Sequence, residues 1–301
     1  MKIVKYLFLA MGFLLIVSFT FCKLATSDKN KEKRELSEAF KKYWYAGKAE
    51  ITSYKLTQAR YGELREGKAV FIYVTEPFLK DKQVKADNPN GESTSVLKLN
   101  STKNFNTGIY PYSIMNSTFY PLKYKGHALK ISTSVTEWCG QQYMQLNNKS
   151  NFKITIHSYF ENEADKNFSV NKDILEDELW SQLRVDPSNL PLGEQKIIPS
   201  FQYIRLMHKP VKAYTANATL KTEGTINTYT LTYPELDRTL SINFQKEFPF
   251  GIESWKESYK SGAGVKAKML TSSGEKINTI MSAYWTKNST NDVYLRDSLG
   301  L

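Results

Sequence analysis

From Gly47 onward, apolar and polar residues alternate with a period of two along most of the chain. Successive side chains of a strand point to opposite faces, so this is the pattern of strands that bury one face only. AEITSYKLTQARY and KAVFIYVTE flank GELREG, whose terminal glycines predict a hairpin turn between two strands. Leu129, Ile131 and Val135, with Thr133 between them, mark a half-buried strand. Phe152, Ile154, Ile156 and Phe160 mark another, interrupted at Ser158, and Leu240, Ile242, Phe244 and Phe248 a third. The same alternation predicts strands over 93–100, 105–119, 140–147, 200–207, 211–220, 226–233, 252–260, 265–272 and 279–286.

Two segments follow a helical period instead. Leu36, Ala39, Phe40 and Tyr43 recur at three- and four-residue steps and predict a helix across 32–44. Leu175, Leu179, Trp180 and Leu183 predict a second over 172–184, with Asp173 and Glu176 as a capping-box pair and Asp186-Pro187 as its stop. The expected fold is therefore mainly β within the α+β class. It is a large twisted antiparallel sheet, an open half-barrel holding a helix, with two or three helices in all. Residues 35–301 read as a single β-rich domain, and any division into halves falls near 172–195.

The N-terminus breaks every periodicity. Lys2 and Lys5 precede YLFLAMGFLLIVSFTF, the run from Tyr6 to Phe21. A basic start and an apolar run of this length make an export signal over 1–22; a free-standing membrane helix needs about 20 apolar residues. Cys22 follows directly, then Lys23 and the polar stretch LATSDKNKEKRE, which reads as a tether over 23–34 running up to the domain. Apolar run, cysteine and polar linker form the layout of a bacterial lipoprotein signal, in which Cys22 is lipidated and begins the mature chain. Phe21 departs from the small residue such signals place before the cysteine. Cleavage after Cys22, or retention of the helix with Lys2 and Lys5 in the cytoplasm, are the alternatives. The lipoprotein reading is preferred, and all three export the domain. The expected location is the cell envelope, at the periplasmic face or the outer membrane, with the membrane reached through the lipid anchor.

Composition narrows the function classes. With 301 residues, 41% hydrophobic and 13% aromatic, the chain has ample material for a core and is no disordered segment. Two cysteines exclude a disulfide scaffold. The net charge of +11 comes largely from single lysines spread along strands, the usual guise of a solvated face and of guarded sheet edges. No phosphate loop, zinc-ligand spacing or RNA-binding signature accompanies it, so nucleic acid is not the expected partner and no cofactor is implied.

Several residues nonetheless carry candidate chemistry. Asp165, Asn167, Ser169, Asp173 and Glu176 fall at positions 1, 3, 5, 9 and 12 of a calcium-loop pattern. Val170 stands where that loop needs glycine, and the preceding FKITIHSYF alternates like a strand, so a polar loop leading into a helix is the preferred explanation. His157 shares strand parity with Glu161 and Glu163, the material of a metal site or a proton-transfer pair. Cys139, in EWCGQQY, is the minimal requirement for a cysteine nucleophile with His157 as its base, but a small buried thiol is the expected state. His127 and His208 have no patterned partner. The many Tyr and Phe residues fill a β core or line an apolar groove.

The strings YWYAGKAEITSYKLTQARYGELREGKAV, FIYVTEPFLKDKQVKAD, VLKLNSTKNFNTGIYPYSIMNSTFYP, EWCGQQYMQLNN and HSYFENEAD resemble those of a family of exported proteins from flavobacteria and other Bacteroidetes. The likeness continues through LEDELWSQLRVDPSNLP and IIPSFQYIRLMHKP and covers most of 43–260. Members usually begin with a lipoprotein signal, which supports Cys22. Such proteins are often named septum formation inhibitor Maf, but the Ser-x-x-Arg-Arg phosphate-binding motif of true Maf nucleotide pyrophosphatases has no counterpart here, and no Maf residue is carried over. The resemblance implies export and implies no activity. The sequence thus points to a non-catalytic envelope binding protein, first for a lipid or other apolar ligand. An assembly subunit docking another envelope protein comes second, and a Cys139/His157 enzyme last.

Overall fold

The computed structural model describes residues 32–301. The signal over 1–22, with Cys22, and most of the tether lie outside the described residues. Sixteen strands form one sheet: β1 (Ala49–Arg60), β2 (Glu63–Leu79), β3 (Val84–Lys85), β4 (Ser93–Thr107), β5 (Tyr110–Pro121), β6 (Lys130–Glu137), β7 (Gly140–Asn148), β8 (Phe152–His157), β9 (Lys166–Val170), β10 (Ile174–Leu175), β11 (Gly193–Ile198), β12 (Tyr214–Glu223), β13 (Ile226–Tyr233), β14 (Arg238–Gln245), β15 (Ile252–Ser261) and β16 (Lys268–Ser282). The α-helices are α1 (Glu38–Trp44), α2 (Glu176–Val185), α3 (Phe201–Met207) and α4 (Tyr294–Ser298).

The sheet runs β10-β11-β12-β13-β14-β15-β16-β1-β2-β4-β5-β6-β7-β8-β9, with β3 attached to β2. Every pair is antiparallel except β10 with β11. The two outermost strands, β9 and β10, are separated in sequence only by residues 171–173. Such a step reaches at most about 14 Å, so the sheet curls until its edges come close, without pairing. Those edges are five and two residues long, which leaves little unpaired backbone for another chain to join. The expected open, mainly antiparallel sheet is thus what the chain forms.

Its concave side is filled. The helix α2 lies against it, and the Tyr73 hydroxyl donates to the Trp180 carbonyl at 2.9 Å. The main core joins Trp44, Tyr54, Phe71, Tyr229, Phe244 and Trp255 with Leu179 and Leu183 of α2. A second cluster packs Phe201 and Ile204 of α3 against Ile131, Leu146, Phe152 and Ile154.

Several predicted boundaries move, each for a local reason. The segment 200–207, expected as a strand, is α3: FQYIRLM satisfies either period, and Ser200 decides it by accepting from the Tyr203 N–H as N-cap. The stretch expected as one strand over 105–119 is broken by a two-residue turn at Gly108 (φ +60°) and Ile109, so β4 and β5 form a hairpin. GELREG is not itself a turn. The turn is Tyr61-Gly62, and Gly67 sits inside β2 because a Cβ there would lie 2.2 Å from the Asn104 carbonyl oxygen. The helix expected over 32–44 begins only at Glu38, since Lys33 forms a β-bridge to Tyr124. The helix expected from 172 begins at Glu176, and its capping carboxylate is Glu178, which accepts from the Leu175 N–H at 3.2 Å. Asp173 and Glu176 therefore form no capping pair.

Candidate functional site

One rim of the curled sheet carries its three most exposed large apolar residues. Alternate hairpins of an antiparallel sheet return on the same side, which places the turns at 262–267, 61–62, 108–109, 138–139 and 158–165 along this rim. Val265 is fully exposed, Ile109 is 85% exposed and Trp138 68%. Contacts join the turns into one surface. The hydroxyls of Tyr61 and Tyr112 hydrogen-bond at 2.7 Å, and the Tyr110 and Trp138 rings stand 6.4 Å apart. The Tyr159 hydroxyl donates to Glu137 Oε1 at 3.3 Å, and the Phe160 ring meets His208 edge-on at 4.9 Å.

A groove of about 620 Å³ opens at this rim, lined by Arg60, Tyr61, Phe160, Met207, His208 and Lys266 among others. That volume is within the range of small-molecule and peptide clefts. Arg60 holds its wall: Nη1 donates to the Leu206 carbonyl at 2.5 Å, and the guanidinium lies 4.2 Å from the Tyr61 ring centre. The chain enters from the far side. Lys33 bridges Tyr124, and Arg34 donates to the Pro121 carbonyl at 2.7 Å, at the end of β5 remote from Tyr110. Eleven steps of extended chain separate Tyr110 from Pro121, about 36 Å.

The candidate residues from the sequence are dispersed. Cys139 is exposed at the 138–139 turn, a correction to the buried thiol expected of it. Its hydrogen bond to the Glu137 carboxylate, aided by some desolvation, raises its thiol above the ordinary range, which disfavours the thiolate a nucleophile requires. His157 lies on β8 opposite Tyr143, and its Nδ1 is 3.2 Å from Asp165 Oδ2. No hydrogen bond joins Cys139 to His157 among the described residues. Asp165 also accepts from the Ser158 N–H at 3.1 Å. Between Asp165 and Glu176 the chain runs as the extended strand β9, which holds the two apart rather than wrapping an ion. Among the described residues no cluster of His, Cys, Asp and Glu suits a metal.

His127 and His208, which the pattern left without partners, both have one. His127 Nδ1 lies 2.8 Å from Glu178 Oε1, and His208 Nδ1 lies 2.8 Å from Glu163 Oε1. Glu163 also pairs with Arg205 of α3. Burial alone would lower the His127 pKa; the Glu178 carboxylate outweighs it and raises the group.

Glu176 belongs to a charge network inside the sheet. Arg238 Nη1 and Nη2 donate to its two oxygens at 2.6 and 2.7 Å, Arg238 Nε donates to Glu257 Oε1 at 2.8 Å, and the Tyr233 hydroxyl donates to Glu176 Oε2 at 2.7 Å. Asp177 accepts from Asn116 Nδ2 at 2.7 Å and from the Phe201 N–H at 2.9 Å. Burial raises its carboxyl to about 7 despite these bonds. Sequence reading missed this network, although a signal was there. Arg238 shares strand parity with Leu240 and Ile242, Glu257 with Trp255 and Tyr259, and Lys103 with Phe105. A charge on the apolar parity of a strand is a buried charge in want of a partner.

No family model and no curated protein matches the chain. A solved structure that it resembles is a beta-barrel-like protein of the domain of unknown function DUF1849 from Brucella abortus. The two are 7% identical, with a TM-score of 0.46 over 77% of this chain and 97% of that one.

Proposed function

We propose that this chain is an exported, non-catalytic binding protein, tethered in the cell envelope through Cys22, that docks another envelope protein on the exposed rim of its half-barrel. The observation that carries the reading is that Val265, Ile109 and Trp138 are all held in water on turns of one rim, opposite the end where the chain enters the sheet at residue 32. Apolar side chains gathered on one exposed surface mark interaction sites. A lipid anchor at Cys22 joins the domain at the end of β5 remote from the rim, which leaves the rim free to meet a protein. The resemblance to exported flavobacterial proteins supports the export and the tether.

Carriage of an apolar ligand, the first expectation, is less well supported. A carrier needs a hollow interior, whereas α2 and the packed Trp and Tyr rings occupy this one.

The test is site-specific photocrosslinking in cells of the native host, with the full-length chain. A crosslinker at position 138 is expected to give one discrete protein adduct that the double variant I109D/V265D abolishes. One at position 294, on α4, is expected to give none. Phospholipid as the sole adduct at 138, or the same adducts from both positions, overturns the reading.

A further inference from the structure

The interior network borders a cavity of about 40 Å³, walled by Phe71, Trp180, Leu240 and Trp255 and by Lys103 and Glu257. A water needs about 10–15 Å³ of such space, so there is room for roughly three waters or a ligand of five or six heavy atoms. Of the five charged side chains around it, two lack a full set of partners. Glu176, Arg238 and Asp177 have the partners described above. Lys103 is 8% exposed, yet among the described residues it has neither a hydrogen bond nor an ion pair; its ammonium lies 5.6 Å from the Trp255 ring centre. Glu257 uses Oε1 for Arg238, and its Oε2 accepts no hydrogen bond among the described residues. The indole N–H of Trp255 is also buried without a partner.

An ammonium and a carboxylate oxygen thus face one cavity with no protein partner, and for side chains this largely buried that is costly unless the cavity's occupant supplies one. Glu257 is the main charge that favours the ammonium of Lys103, against the burial that lowers its pKa, but the two do not meet as an ion pair. A ligand that accepts from Lys103 and donates to Glu257 satisfies both. Charge restricts it further. With the Asp177 carboxyl in the same wall protonated, as it is below about pH 7, Lys103 and Arg238 balance Glu176 and Glu257, so an anion leaves the interior negative and a cation leaves it positive, whereas a zwitterion leaves the balance unchanged.

We propose that this cavity is a binding site for a small zwitterion, an α-amino acid of the size of glycine or alanine. Its carboxylate takes the Lys103 ammonium, its own ammonium takes Glu257 Oε2, and its methylene or methyl group lies on Leu240 and Trp180. This site is distinct from the rim and does not depend on the docking reading.

Calorimetry and thermal unfolding of the full-length chain in detergent, with glycine, L-alanine, acetate and methylamine as probes, test it. Glycine or L-alanine is expected to bind one per chain and raise the unfolding midpoint, while acetate and methylamine bind far more weakly. Lys103→Met is expected to weaken amino-acid binding by roughly 30-fold or more, as removal of one partner of a buried charge pair does. Leu240→Phe keeps every charge and fills the space, so it is expected to abolish binding while unfolding stays cooperative, which covers the case of a Lys103→Met chain that does not fold. Absence of binding by both amino acids to the folded chain overturns the proposal. So does acetate binding as tightly as glycine, and so does unchanged glycine affinity in Leu240→Phe.

Discussion

Arg184 of α2 grips Glu50 at the start of β1 with two parallel hydrogen bonds, both of 2.7 Å, and both side chains are buried. Burial pushes the Glu50 carboxyl up, but the guanidinium outweighs it and holds the group below its usual range. The Tyr43 hydroxyl donates to the same carboxylate at 2.5 Å, and Arg184 Nε donates to the Pro249 carbonyl at 2.9 Å. One side chain of the internal helix thus ties together β1, the α1 helix and the loop between β14 and β15.

Removing one partner of such a pair leaves the other charge stranded. Glu50→Ala is expected to destabilise the fold by about 3–5 kcal/mol in chemical denaturation, whereas the double variant Glu50→Leu with Arg184→Met recovers most of that loss. A loss below about 1 kcal/mol for the single variant, the level of a surface pair, would refute the buried bidentate geometry.

Asp177 gives the interior a pH dependence. Its carboxyl lies at about 7 in the fold against an ordinary 3.8, so between those values the folded chain holds a proton that the unfolded chain releases. Its contribution is present below about pH 4 and is lost as the pH rises toward 7, with a limiting slope of about 1.4 kcal/mol per pH unit. Glu176, Arg238 and Asn116 face the same group. Denaturation curves at pH 5 and pH 7 are expected to show this loss in the parent chain and a smaller one in Asp177→Asn. Equal pH dependence in the two would refute the assignment.

Exposure does not make Cys139 reactive. At pH 7 its alkylation by iodoacetamide is expected to be slower than that of free cysteine, because the thiol is held above its ordinary range beside Glu137. Glu137→Gln is expected to speed the reaction. A native rate above that of free cysteine would restore Cys139 as a candidate nucleophile.

Gly274 on β16 stands opposite Trp255 on β15, and a Cβ there would come within 2.1 Å of the indole ring. Gly274→Ala must displace a fully buried Trp. A loss of about 1–3 kcal/mol, the usual cost of overpacking a core, is expected from thermal unfolding. An Ala variant as stable as the parent would show that the ring does not hold this position.

The alternating strands were the legible part of this chain. Leu129, Ile131 and Val135, or Leu240, Ile242 and Phe244, bury one face of a sheet whose other face meets water, and that condition writes itself into the residue order. The α3 helix was not legible, because Phe201, Tyr203 and Met207 alternate as well as they spiral, and only the Pro199-Ser200 start argues for a helix. The rim and the interior network escaped for a different reason. Ile109, Trp138 and Val265 sit in separate turns that come together only when the hairpins are aligned. Glu176, Arg238, Glu257 and Lys103 come from four separate elements of the chain.

Because the chain enters at one end of β5 and the apolar turns crown the other, the β4–β5 hairpin acts as a spacer whose length is written in residues. Two residues added to each strand keep every side chain on its face and carry the 108–109 turn about 7 Å outward; one residue added to each reverses the faces and turns the core to water. The gap between the bridge at Lys33 and the rim can therefore change only in steps of a residue pair, a vernier set by the pleat itself.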